Sequence, residues 1–135
     1  MKKLLLIALT SFILFSCKKD SFRGIEGGWR DVAHYRQQPN GSFEWLTNNG
    51  YWHLFYSFSS EGKFATFTDV PEGSGSYSYD GGSRTLVLKY EANANGGAAN
   101  SVKYMVEQLG NDRLVLAEYA SSGELYSKTE FERND

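Results

Sequence analysis

The residues with chemistry to offer are two histidines, one cysteine, scattered serines and carboxylates, and a large aromatic set. A zinc site takes three or four N, S or O ligands at close range. His34 and His53 with a single thiol do not supply that, and they read as surface or hydrogen-bonded structural groups. A hydrolytic triad needs a serine, a histidine and a carboxylate in contact. No serine here sits in a Gly-x-Ser-x-Gly elbow, and Gly73-Ser74-Gly75 reads as a turn. Glu107 and Glu118 are available as the carboxylate pair of a glycosidase, but nothing local marks them out, and Glu107 reads as solvent-facing. The glycine-rich stretches at 73–82 and 96–97 precede no helix, so they lack the setting of a phosphate-cradling loop. The chain therefore reads as non-enzymatic, with no metal and no cofactor.

The aromatic residues are more informative. They make up 16% of the chain, and most fall on alternating strand positions. Trp52, Tyr56, Phe58, Phe64, Tyr77, Tyr79, Tyr90 and Tyr104 can line a common interior. Of these, Trp52, Tyr56, Phe58, Tyr77, Tyr90 and Tyr104 are the candidate ligand-binding set. Tyrosine has an apolar body and a polar tip, which suits a pocket of mixed character. The alternative is that the rings only fill the core. Phe43 and Trp45, near a loop from 39 to 49, suggest a contact patch at a barrel mouth.

These rings need strands to position them. After Gly28 the chain alternates with a period of two and is cut by turn residues every eight to twelve positions. The expected strands are Trp29 to Tyr35, Phe43 to Leu46, Tyr51 to Ser59, Phe64 to Val70, Gly75 to Tyr79, Arg84 to Tyr90, Val102 to Leu109, Arg113 to Tyr119 and Leu125 to Arg133. Asn40-Gly41 suits a tight hairpin, and Pro71-Glu72-Gly73 reads as a break. Residues 92–100 are a low-complexity stretch with no anchoring side chains, expected as a mobile loop. No helical periodicity follows residue 17. Eight or nine short strands joined by tight turns imply an all-β sandwich or barrel, and about eight strands close a barrel just wide enough for side chains or one small ligand.

The N-terminus carries a separate message. Lys2 and Lys3 precede an apolar run of twelve residues, from Leu4 to Phe15, and Ser16-Cys17 ends it. That is the pattern of a cleaved signal peptide over residues 1–16; a permanent span needs roughly 18 to 20 residues. Leu14-Phe15-Ser16-Cys17 resembles a bacterial lipobox, with Phe15 departing from the usual small or polar residue. The resemblance implies that Cys17 takes a diacylglycerol on sulfur and an acyl chain, such as palmitate, on its amine. Stable anchoring needs two signals, at about 0.8 kcal/mol per buried methylene. Cys17 is also the chain's single cysteine, so no intramolecular disulfide forms.

Removing 16 of 135 residues leaves 119, one domain, with 17–28 as a tether and 29–135 as the folded part. Without Lys2 and Lys3 the 14 basic residues become 12 against 16 acidic ones, a formal charge of −4. Nucleic acid and anionic lipid headgroups are poor partners for such a surface.

Residues 28–133 also resemble the lipocalin-like lipoprotein domains of some Gram-negative bacteria. The matching elements are Gly27-Gly28-Trp29, the hairpin from Phe58 to Phe64, Gly75-Ser76-Tyr77, Leu86-Val87-Leu88, and the late pair Tyr104 to Leu109 with Leu114 to Leu116. The resemblance implies a small antiparallel up-and-down barrel and the binding of a small apolar or amphipathic ligand. An envelope interaction or inhibitor module, gripping a partner protein through loops 36–50 and 91–101, is the alternative. Lys18 after Cys17 points to the outer membrane, and the lack of an acidic run after it points to its periplasmic side.

Overall fold

The computed structural model describes residues 24–48, 50, 53–68, 71–92 and 97–135. The expected signal peptide, the start of the expected tether, Cys17 and Trp52 therefore lie outside the described residues.

Nine antiparallel strands make the fold: β1 Gly27–Gln37, β2 Phe43–Thr47, β3 Phe55–Phe58, β4 Lys63–Phe67, β5 Pro71–Asp80, β6 Thr85–Tyr90, β7 Asn100–Leu109, β8 Arg113–Tyr119 and β9 Leu125–Arg133. From β3 onward each strand pairs with the next, and β1 joins β3 to β9. Eight strands thus close into an up-and-down barrel, which leaves no open edge in the wall. The ninth, β2, lies outside the ring. It pairs with Ala33–Gln37 of β1, on the edge whose lower half, Gly27–Arg30, holds β3.

The two ends of the barrel differ in composition. At one end lie the tight turns 59–62, 81–84 and 110–112. Here Ile25 is buried to 4% exposure, and the Trp29 indole donates to its carbonyl at 2.8 Å. Arg133 stacks over the Trp29 ring at 4.2 Å and donates to the carbonyls of Gly24, Glu26 and Asn111. That end is closed. The folded unit accordingly starts earlier than residue 29, because Ile25 supplies part of its floor. The other end carries β2, residues 53–54 ahead of β3, residues 91–92 and 97–99 between β6 and β7, and the connection 120–124. We call it the mouth.

Alternation sorts the side chains as the strand pattern requires. Trp29, Tyr56, Phe58, Phe64, Leu86, Leu88, Val106, Leu114, Leu116 and Phe131 form the buried interior. Val115 and Ala117 face outward yet are also buried. Ion pairs run along that outer wall: Arg113 with Glu130 at 2.7 Å and Lys128 with Glu107 at 2.6 Å.

Several expected boundaries shift by a residue or more, three of them for reasons visible here. Pro71-Glu72-Gly73 opens β5 instead of breaking the chain; proline is tolerated at the first residue of a strand, where no ladder donor is required of it. Among the described residues the third strand is Phe55–Phe58: the Leu54 amide donates to the Asp31 carboxylate rather than to a ladder, and Tyr51 and Trp52 lie outside the described residues. β7 starts at Asn100, two residues earlier than expected, and 93–96 lie outside the described residues.

Candidate ligand-binding site

Five of the six sequence-predicted site residues face the barrel interior. They fall into two levels.

Phe58 and Tyr77 belong to the closed end. Phe58 stacks on Tyr56 at 5.6 Å and meets the Tyr77 ring edge-on at 5.0 Å. The Tyr77 hydroxyl donates to the Ser59 carbonyl at 2.7 Å, in the β3–β4 turn. Burial, and then the Glu26 charge, push this phenol above its usual pKa. Its polar tip is therefore committed to the floor.

Tyr56, Tyr90 and Tyr104 form the upper level. They come from β3, β6 and β7, and the Tyr56 phenol lies close enough to those of Tyr90 and Tyr104 for each to act on its ionisation. Desolvation, with the two neighbouring phenols adding to it, holds Tyr56 far above the ordinary tyrosine range. Tyr104 is also raised: desolvation dominates, and Tyr90 and Glu118 add to it. A phenol in such a low-dielectric interior can both donate and accept a hydrogen bond.

Gly73 helps to bring them together. A Cβ there would stand 2.9 Å from two carbons of the Tyr90 ring, so only glycine lets that ring lie against β5. The same ring packs edge-on to Phe64 at 4.8 Å.

Toward the mouth the lining becomes polar. Asp31 is 2% exposed and accepts from four groups. The donors are His34 at 2.7 Å, Asn48 at 3.0 Å, His53 at 3.1 Å and the Leu54 amide at 2.9 Å. In return the Asp31 amide donates to the Leu54 carbonyl at 3.0 Å. A buried carboxylate is tolerable only when its lone pairs are used. Here it ties Asn48, His53 and Leu54 to β1. Both histidines of the chain converge on it, from opposite sides.

The register makes this possible. The β1–β9 ladder shifts between Asp31 and Ala33, so Val32 is a bulge. One extra residue flips the alternation. Asp31 and His34, three apart, then both face inward, and His34 lies 3.3 Å from the Thr129 hydroxyl. Among the described residues, no group of three or more His, Cys, Asp or Glu side chains forms a metal-binding arrangement.

Glu118 shares the inward face of β8 with Leu114 and Leu116, one residue beyond the last β7–β8 pair, Met105–Ala117. Glu107, by contrast, faces outward. Burial opposes its ionisation, but hydrogen bonds from Lys128 and Tyr119 and the Lys128 charge outweigh that and hold its carboxyl below the ordinary glutamate range. The wall separates the two carboxylates, so they do not flank one bond as the paired acids of a glycosidase do.

A groove of about 550 Å³ opens where β1 and β9 part beyond the Tyr35–Lys128 pair. His34, Ser127 and Thr129 line its inner side; Tyr35, Tyr126 and Lys128 line its outer side. Beside it the Tyr35 ring stacks on Phe43 at 5.1 Å and meets Trp45 at a tilt at 5.3 Å, and Trp45 is 45% exposed.

Sequence reasoning missed Asp31 and the inward aim of Glu118. The second was readable, since Glu118 keeps the parity of Leu114 and Leu116. The first was hidden by the bulge. No protein-family model matches the chain, and no curated protein matches it either.

Proposed function

We propose that this chain is a lipid-anchored envelope lipoprotein whose lipocalin-like barrel binds a small apolar or amphipathic molecule. The observation that carries the reading is the convergence of the Tyr56, Tyr90 and Tyr104 hydroxyls inside a closed barrel, beneath a polar mouth. A purely structural core of this size is served by Leu, Ile, Val and Phe; buried phenols add the demand that each hydroxyl find a partner. Three of them meeting at one level fit a ligand with a polar end and an apolar body.

Anchoring through acylated Cys17 at the periplasmic side of the outer membrane suits that function. Residue 24 reaches the barrel at its closed end, opposite the mouth, so a tethered barrel has its mouth free of its own anchor. Native mass spectrometry of the purified protein tests the binding. The expected result is one adduct of reproducible mass, beyond the acyl chains, across independent preparations. Consistently empty protein counts against it.

The second reading is a module that grips another envelope protein by its rim. The exposed β2 strand favours it: Trp45 and Leu46 are 45% and 41% exposed on opposite faces of a strand with one unpaired edge. Empty protein together with tight capture of a single partner would select it.

A further inference from the structure

The interior carboxylates differ in how they are satisfied. Asp31 accepts from four groups and has no capacity to spare. The Glu118 side chain is half-buried, faces the interior, and has no hydrogen bond or ion pair among the described residues, its backbone alone pairing in the β8–β9 ladder. Yet it lies close enough to Tyr104 to act on it electrostatically. A carboxylate taken partly out of water without a partner is costly, and a cation or a strong donor relieves that cost.

Among the described residues no cation supplies that relief. Lys128 faces outward and is bound to Glu107 at 2.6 Å. Arg133 is held at the closed end, over Trp29. His34 is bound to Asp31 and lies near Thr129. Arg36 shares the face of His34 two residues further along β1, but it is exposed at the rim and pairs with nothing among the described residues. Electron-rich rings share the same interior: Tyr104, which Glu118 influences, and Tyr56 and Tyr90 close by. Aromatic faces with an adjacent carboxylate favour an ammonium group.

We infer that the polar end of the bound molecule is a protonated amine, held by Glu118 and the Tyr104 ring, with its apolar part lying among Tyr56, Tyr90 and Leu88. The inference rests on the proposal that the barrel binds a small amphipathic ligand. The formal charge of −4 on the chain after Cys17 acts in the same direction, since it raises the local concentration of cations.

Three probes with the same alkyl chain test it: octylamine, octanol and octanoate. Each is titrated calorimetrically into the intact lipoprotein held in phosphatidylcholine nanodiscs, with empty nanodiscs subtracted. The expected order is octylamine tighter than octanol by about tenfold, as one charge-assisted hydrogen bond implies, and octanoate weakest. Glu118→Gln should bring the ratio of octylamine to octanol affinity close to one. Equal binding of octylamine and octanol to the unaltered protein, or octanoate binding tightest, overturns the amine assignment, and neither result needs a variant that folds. In those cases octanol binding still supports the barrel as a binding site. If none of the three binds, both the amine assignment and the binding function fall.

Discussion

Asp31→Ala should be the most destabilising single change at the mouth, and the structure allows its size to be worked out. The substitution removes the acceptor for four donors. They do not suffer equally. His53 keeps the Asp31 backbone carbonyl at 2.9 Å, and His34, with 30% of its side chain exposed, can turn to water. The Leu54 amide loses its acceptor altogether. An orphaned buried donor costs about 1–3 kcal/mol, and charge-assisted bonds contribute about 1.5–3 kcal/mol each. Allowing for the donors that find water, the total is about 3–5 kcal/mol, the range seen when one partner of a buried ionic group is removed. A domain of this size has roughly 5–15 kcal/mol in all. Asp31→Asn keeps one acceptor oxygen for Leu54 and turns an amide toward the remaining donors, so its cost should be about 1–3 kcal/mol. Urea unfolding followed by the fluorescence of buried Trp29 measures both. Amide exchange should localise the loss, with Leu54 exposed first in Asp31→Ala. A cost below about 1 kcal/mol for the alanine variant, or an asparagine variant as unstable as it, would refute the reasoning.

Other consequences concern pH, packing and anchoring. Tyr56 is raised by folding, so the stability it contributes is complete below the unfolded tyrosine value near 10 and is lost as pH rises beyond it. Tyr56→Phe should therefore move alkaline unfolding to higher pH, read by circular dichroism; an unchanged midpoint contradicts the assignment. Glu107 is lowered, so its contribution is complete above its ordinary value of 4.5 and is lost as pH falls through the folded value. Lys128→Met should flatten the fall of melting temperature below that pH, and a melt curve parallel to the unaltered protein's would count against the pair. Gly73→Ala should displace the Tyr90 ring and cost about 1–3 kcal/mol by overpacking, measured by urea unfolding. Cys17→Ala should move the protein from the membrane fraction to the soluble one, and continued membrane partition would argue against the lipid anchor.

Much of the barrel was readable because its signals are local. Tyr56 and Phe58, Tyr77 and Tyr79, and Leu86 and Leu88 alternate with a period of two, and each of these pairs faces the interior. The turns at Asn40-Gly41 and Gly110-Asn111 lie between the expected strands. The Asp31 cluster was not readable, for a physical reason. Its members are 3, 17, 22 and 23 residues from Asp31, and only the bulge at Val32 brings His34 to the face of Asp31, where plain alternation puts it on the opposite one. Pro71 misled because proline marks a strand start as readily as a break. The grouping of Tyr56, Tyr90 and Tyr104 apart from Phe58 and Tyr77 was equally hidden. Alternation says which face a ring takes, while its level in the barrel depends on how the strands stagger on closure.

Resonances of the tyrosine rings offer the most direct view of where a ligand sits. Adding octylamine or octanol to the isotope-labelled protein should shift the ring signals of Tyr56, Tyr90 and Tyr104 together and leave Trp45 and Tyr35 on the outer face unmoved. Shifts confined to Trp45, Tyr35 and Leu46, with the three interior rings silent, would contradict an interior binding site.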